Sequence, residues 1–154
     1  MPLVWREIAG SNPALVAMKQ LVYNAIITPD GHILESLWRH DYREHVDKSN
    51  GKTYMVDGGL DYARRSYNGD EIPLYIYSTD PHEFVRKVAY RLGYGKPGSK
   101  YYGTFRKTLI KDMSDAHLQA SLDYHGVTKG GTHWLILLAE KLYRIENEIT
   151  IDEN

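Results

Sequence analysis

Two stretches are the densest in residues able to do chemistry: Trp38-Arg39-His40-Asp41-Tyr42-Arg43-Glu44-His45, and Tyr54-Met55-Val56-Asp57-Gly58-Gly59-Leu60-Asp61-Tyr62-Ala63-Arg64-Arg65. Between them they hold Arg39, Arg43, Arg64 and Arg65, two histidines, and rings at short intervals. Guanidinium groups match phosphate and carboxylate in bidentate geometry, and aromatic faces stack on bases. Such a segment either holds an anionic, ring-bearing ligand or is an amphipathic sheet with one wet face. Strand alternation alone places every other side chain in water.

Hydrolytic chemistry has weaker support. His40-Asp41 is similar to the dipeptide of metal-dependent phosphohydrolases, and a small metal-dependent phosphodiesterase using His40, Asp41 and His45 is one reading. A strand is expected over Leu37 to Val46, where adjacent residues point to opposite faces, as do His40 and His45 at a spacing of five. Asp47 and Asp57 would have to converge through turns to complete a metal set. No Gly-x-Ser-x-Gly elbow places a nucleophile. The run Gly93-Tyr94-Gly95-Lys96-Pro97-Gly98-Ser99-Lys100 follows a predicted helix and lacks the terminal Gly-Lys-Ser/Thr, so it is not a P-loop. It is read either as a surface loop or as an anion cradle built from backbone amides, Lys96, Lys100 and Ser99. Tyr90, Tyr94, Tyr101 and Tyr102 supply faces for stacking.

The elements that must position these residues follow from pattern. Leu21 to Ile27, Thr28-Pro29-Asp30-Gly31 and His32 to Ser36 read as a hairpin. Further strands are expected at Leu37–Val46, Lys52–Val56, Leu60–Ser66 and Leu74–Tyr77, with turns at Asp47–Gly51, Gly58-Gly59 and Asn68–Asp70. The second half changes period. Asp80-Pro81-His82-Glu83 has a capping-box arrangement, with an apolar stripe of Phe84, Val85, Val88 and Leu92 ending at Gly93. After an irregular stretch to Gly103, Phe105–Ile110 returns to the sheet. Ser114 caps a helix through Leu118 and Leu122, and Thr132 opens a last helix with Trp134, Leu135, Leu137, Leu138, Leu142 and Ile145 on one face. The expected fold class is α+β, an N-terminal antiparallel β meander packed with C-terminal helices. The breadth of the last apolar face, with the tyrosine-rich sheet, points to self-association.

Composition bounds the rest. With 154 residues, one domain over 18–154 is expected. Residues 1–17 have two readings. Gly10-Ser11-Asn12-Pro13-Ala14 is what a tRNA T-arm encodes in one frame, which makes Met18 the start; alternatively, Pro13 opens a short capped helix. The formal charge of -1 gives no global attraction to nucleic acid, and no apolar run approaches a bilayer span. The absence of cysteine removes thiolate catalysis and Cys-zinc sites. Tyrosine outnumbers phenylalanine 13 to 2, a usage suited to wet binding surfaces.

The run from Asp30-Gly31 through His40-Asp41-Tyr42, the segment Asn50 to Arg65, the loop Gly93–Gly98 and Leu109-Ile110-Lys111-Asp112-Met113-Ser114-Asp115-Ala116-His117-Leu118 resemble small bacteriophage proteins. Among these the chain is most similar to the first type of Thoeris anti-defence sponges, over roughly Leu21 to Asn147. The resemblance implies a non-enzymatic protein without a cofactor, homo-oligomeric, acting in the host cytoplasm. Its ligand would be a cyclic nucleotide or an ADP-ribose-derived small molecule. Arg64 or Arg65, Tyr90 and Ser99 stand where that family's ligand residues would. With neighbouring cations and rings the expected ligand set is Arg39, Arg64, Arg65, Tyr90, Arg91, Tyr94, Lys96 and Ser99. Ala63 and Val127–Gly131 depart from the family's pattern. A phage accessory protein that binds a host protein is the third reading.

Overall fold

A computed structural model of the protein describes residues 19–100, 102–124 and 126–153. The readings of residues 1–17, of Met18 as a start and of Tyr101 as a stacking residue lie outside them. Among the described residues the chain is an α+β protein: antiparallel strands come first, and the helices that follow are interrupted by one β-hairpin. It divides into two compact units. Leu21–Tyr77 form one, and Ser78 onward with residues 19 and 20 forms the other.

The first unit is built from strands. β1 (Asn24–Ile27) pairs with β2 (Ile33–Ser36) on one side and with β6 (Ile72–Leu74) on the other. A second sheet has the meander order β3 (Arg43–Val46), β4 (Thr53–Asp57), β5 (Arg64–Arg65). Ile26 and Leu34 of the first sheet and Tyr54 and Val56 of the second form one buried cluster. The Tyr54 hydroxyl can be buried because it donates to Asp70 Oδ1 at 2.8 Å and accepts from Asn50 Nδ2 at 2.9 Å. The Pro-Asp-Gly hairpin forms as its turn chemistry predicts, with Gly31 N donating to Thr28 O at 2.8 Å. Asp47, fully buried, organises the next turn through Ser49 N at 2.7 Å and ties it to the first through Asp30 N at 2.8 Å.

Several strands are shorter than expected. The run Leu37–Val46 is extended only over Arg43–Val46, because Asp41 folds the preceding residues into a turn. Its carboxylate accepts Leu37 N at 2.8 Å and Arg43 Nε at 3.0 Å, while Ser36 Oγ donates to Asp41 O at 2.7 Å. Leu60–Ser66 contributes only Arg64–Arg65. The expected strand at Leu74–Tyr77 is displaced to Ile72–Leu74, with Tyr77 bridging Leu21.

Gly59, lacking a side chain, lets the backbone at Trp38 lie against the Gly-Gly turn. Its φ is +56°, and a Cβ there would stand 2.6–2.8 Å from the backbone of Trp38. Gly31 has φ +83° with open space around it. Gly59→Ala is therefore expected to cost more than the roughly 1–2 kcal/mol of left-handed backbone alone, and Gly31→Ala about that amount. Thermal unfolding of the two variants should show the larger drop for Gly59→Ala; equal drops would show that the Trp38 contact is immaterial.

In the second unit, α1 (His82–Val88) is followed by the hairpin β7 (Tyr90–Tyr94) and β8 (Phe105–Leu109), then a 3-10 turn at Ile110–Asp112, α2 (Asp115–Asp123) and α3 (Thr132–Glu146). The first helix departs from expectation at both ends. Pro81, expected as the first helical residue, is the N-cap residue. The helix stops at Val88, and Leu92 lies on β7 opposite Lys107. Its apolar spacing fits a helix, but cross-strand pairing from Tyr90↔Leu109 to Tyr94↔Phe105 outweighs that local preference. The stretch to Gly103, expected to be irregular, is the hairpin's connection, closed by Gly95 N to Thr104 O and the Gly95–Tyr102 bridge.

α2 begins as its sequence indicates: Ser114 Oγ accepts His117 N at 3.0 Å. On α3, Leu135, Ile136, Leu137 and Ala139 are buried, whereas Ile145 is 65% exposed. Much of the surplus apolar face is thus consumed within the protein. No helix among the described residues is long and apolar enough to cross a membrane.

Candidate functional site

Arg64 and Arg65 are adjacent on β5, and the strand sends them to opposite faces with opposite consequences. Arg64 Nη2 reaches Asp57 Oδ2 at 2.7 Å with its side chain 60% exposed, beside the Tyr62 ring. This is a surface ion pair. Arg65 is half-buried and ties three strands together: Nε donates to Asn24 Oδ1 at 2.9 Å, and Nη2 to Tyr23 O and Leu74 O at 3.2 Å each. Its acceptors are an amide oxygen and two carbonyls, none of them charged. Its plane lies 5.0 Å from the Tyr75 ring centre, and its Nη1 is buried without a hydrogen-bond partner. Burial pulls the guanidinium below its ordinary pKa.

Arg65 lines a cleft of about 640 Å³ with Ser66, Tyr67, Glu71, Pro73 and Tyr75 among its walls. Tyr67 is 94% and Tyr75 59% exposed. A cation that lacks a carboxylate partner, next to two open phenol rings, is the chemistry an anionic, ring-bearing molecule requires. Tyr67, Glu71 and Tyr75 are the residues that sequence reasoning missed here. Glu71 follows Asn68-Gly69-Asp70, which reads only as a turn, and the one available signal for the rings was the excess of tyrosine.

The other expected ligand residues are dispersed. Arg39 is exposed on the turn before β3 and does not line this cleft. Tyr90, Arg91, Tyr94, Lys96 and Ser99 all belong to the second unit. Tyr90 is buried, with Lys107 Nζ 5.9 Å from its ring. Tyr94 is exposed and meets Phe105 edge-on at 5.3 Å. Lys96 and Ser99 are exposed at the hairpin's tip, joined by Ser99 N to Lys96 O at 3.0 Å.

Arg91 reaches a different place, a shallow cleft of about 390 Å³ at the start of α3, with Thr128, Thr132, His133 and Trp134. Its Nη1 lies 3.1 Å from His133 Nε2. Burial, and then the charge of Arg91, lower the His133 pKa to about 4. At neutral pH the ring is therefore uncharged and accepts from the guanidinium.

The histidine and acid set of the hydrolytic reading does not converge. Asp41 is occupied in its turn, and His45 Nε2 meets Asp30 Oδ2 at 2.8 Å with His32 stacked on its ring at 3.9 Å. The Thr28 hydroxyl, His45 and the Lys48 amide hold the Asp30 carboxyl well below the usual range. Among the described residues no group of three or more His, Asp or Glu is arranged to hold a metal ion. No protein-family model, curated protein or solved structure matches the chain.

Proposed function

We propose that the protein is a non-enzymatic binding protein that sequesters a cyclic ADP-ribose-type or cyclic nucleotide signal. In this reading it is a bacteriophage anti-defence protein, homo-oligomeric, acting in the host cytoplasm. The observation that carries the binding part is the Arg65 guanidinium, which has no carboxylate partner, has an unpaired Nη1, and opens onto a cleft walled by Tyr67 and Tyr75. Such a cation favours phosphate over a neutral ligand, and the phenol rings supply stacking surface for a base. The resemblance of the Asn50–Arg65 segment supplies the ligand class.

Calorimetric titration of the purified chain with cyclic ADP-ribose isomers and cyclic dinucleotides tests this. Binding at micromolar concentration is expected, with the ligand recovered chemically intact after the protein is denatured. Should none of them bind at about tens of micromolar, roughly the −6 kcal/mol level, the reading fails and capture of a host protein is the next to pursue. Recovery of a cleaved ligand would instead make the protein an enzyme.

A further inference from the structure

Among the described residues, the buried side-chain atoms left without a hydrogen-bond partner are Arg65 Nη1 and Glu71 Oε2. Both residues line the same cleft. Native proteins leave few buried polar atoms unpaired, because each forfeits the hydrogen bonds it had in water. An unpaired donor and an unpaired acceptor on residues of one cleft are complementary to a molecule that presents both an acceptor and a donor.

Glu71 is fixed by its other oxygen. Oε1 accepts Asn68 N at 2.7 Å and is 3.4 Å from Gly69 N, so it organises the turn that leads into β6. Oε2 is left buried and without a partner; it is an acceptor only and repels phosphate. In a ribose phosphate the sugar hydroxyls are the donors nearest the anion, a few bonds away. A base N–H is farther off, and in this cleft the base has the tyrosine rings to stack on.

Resting on the binding reading above, we infer that Glu71 is a specificity-determining residue: its Oε2 accepts a hydrogen bond from a free ribose hydroxyl of a ligand whose phosphate meets Arg65. The cleft then selects ribose over 2′-deoxyribose. Because Oε2 is buried, the hydroxyl reaches it when side chains of the cleft wall turn aside, a fast motion for exposed side chains.

The test compares cyclic ADP-ribose and cyclic di-adenylate with their 2′-deoxyribose counterparts, by calorimetry, on the wild-type chain and on Glu71→Gln. Wild type should bind the ribose forms about tenfold more tightly or better, the value of a hydrogen bond to a charged acceptor. In Glu71→Gln the side-chain oxygen must still face the Asn68 and Gly69 amides, so the amide NH2 takes the position of Oε2. The amide can donate to the hydroxyl oxygen but no longer offers a charged acceptor, so the ribose preference should fall severalfold. A wild-type ratio near one, or a ratio that Glu71→Gln leaves unchanged, overturns the inference while the binding reading stands. A wild-type chain that binds none of the four compounds overturns both. The wild-type ratio needs no variant, so the inference stays testable if Glu71→Gln folds poorly.

Discussion

Glu140→Ala is expected to lower the stability of the protein by about 3–5 kcal/mol, the cost of stranding buried cations, which is a large share of the roughly 5–15 kcal/mol that holds a domain folded. Glu140 is fully buried on α3. Its Oε1 takes His82 Nε2 and Arg86 Nε, both at 2.9 Å, and its Oε2 takes Arg86 Nη2 at 3.0 Å and Arg144 Nε at 2.7 Å. Arg144, itself buried, continues to Asp115 Oδ1 at 2.9 Å and Ile110 O at 3.0 Å. One carboxylate thus joins α1, α3, the 3-10 turn and the start of α2. Taking it away leaves two guanidinium groups with their shared anion gone. Urea unfolding at pH 7 measures the loss, and a change under about 1 kcal/mol would show that the cluster is dispensable.

The same carboxylate sets an acid limit. Burial pushes its pKa up, but the hydrogen bonds from His82, Arg86 and Arg144 outweigh burial and bring it from 4.5 down to about 2. Since the folded value lies below the unfolded one, this contribution is complete above about pH 4.5 and is lost as the pH falls toward 2. Glu140→Gln has no proton to take up there, so its stability should be flatter than that of wild type across that window.

How much of this was legible in the sequence depends on the range of the interaction. The Pro29-Asp30-Gly31 turn, the Ser114 cap and the start of α3 at Thr132 are set by neighbours within a turn, and their residue types announce them. The turn at Trp38–Asp41 was hidden because its cause is a carboxylate reaching back to Leu37 N, in a stretch whose rings and alternation read as strand. Leu92 reads as helical because its spacing from Val88 suits a helix, while its actual partner, Lys107, lies across a hairpin. Glu140 and Arg144 are four apart and legible as a pair, but Arg86 is 54 residues away and invisible to spacing. The candidate site follows the same rule. Arg65 was singled out by type, but what separates it from Arg64 is the burial of one and the Asp57 partner of the other, both consequences of the sheet.

That difference predicts opposite results for two adjacent arginines. Arg64 is largely exposed and paired, so Arg64→Ala should change ligand affinity by no more than about fivefold, as loss of an exposed ion pair does. On the proposed function, Arg65→Ala removes the phosphate contact in a partly desolvated site, at about 2 kcal/mol or more, and should weaken binding about thirtyfold or further. Because Arg65 also holds Asn24, Tyr23 and Leu74, this variant will lose stability too, and weak binding by a partly unfolded chain must be told apart from loss of the contact. Two further variants do so. Arg65→Lys keeps the charge without the planar fork, so affinity retained there would mean that charge suffices and bidentate geometry is unnecessary. Tyr67→Ala removes a side chain that is 94% exposed, so it should leave the unfolding midpoint nearly unchanged while costing roughly 1–3 kcal/mol of base stacking. Calorimetric affinity and a urea midpoint on all four variants separate the effects. If Arg64→Ala loses as much affinity as Arg65→Ala, or if Tyr67→Ala loses none, the ligand sits elsewhere, and the shallow cleft of Arg91 and His133 becomes the place to look.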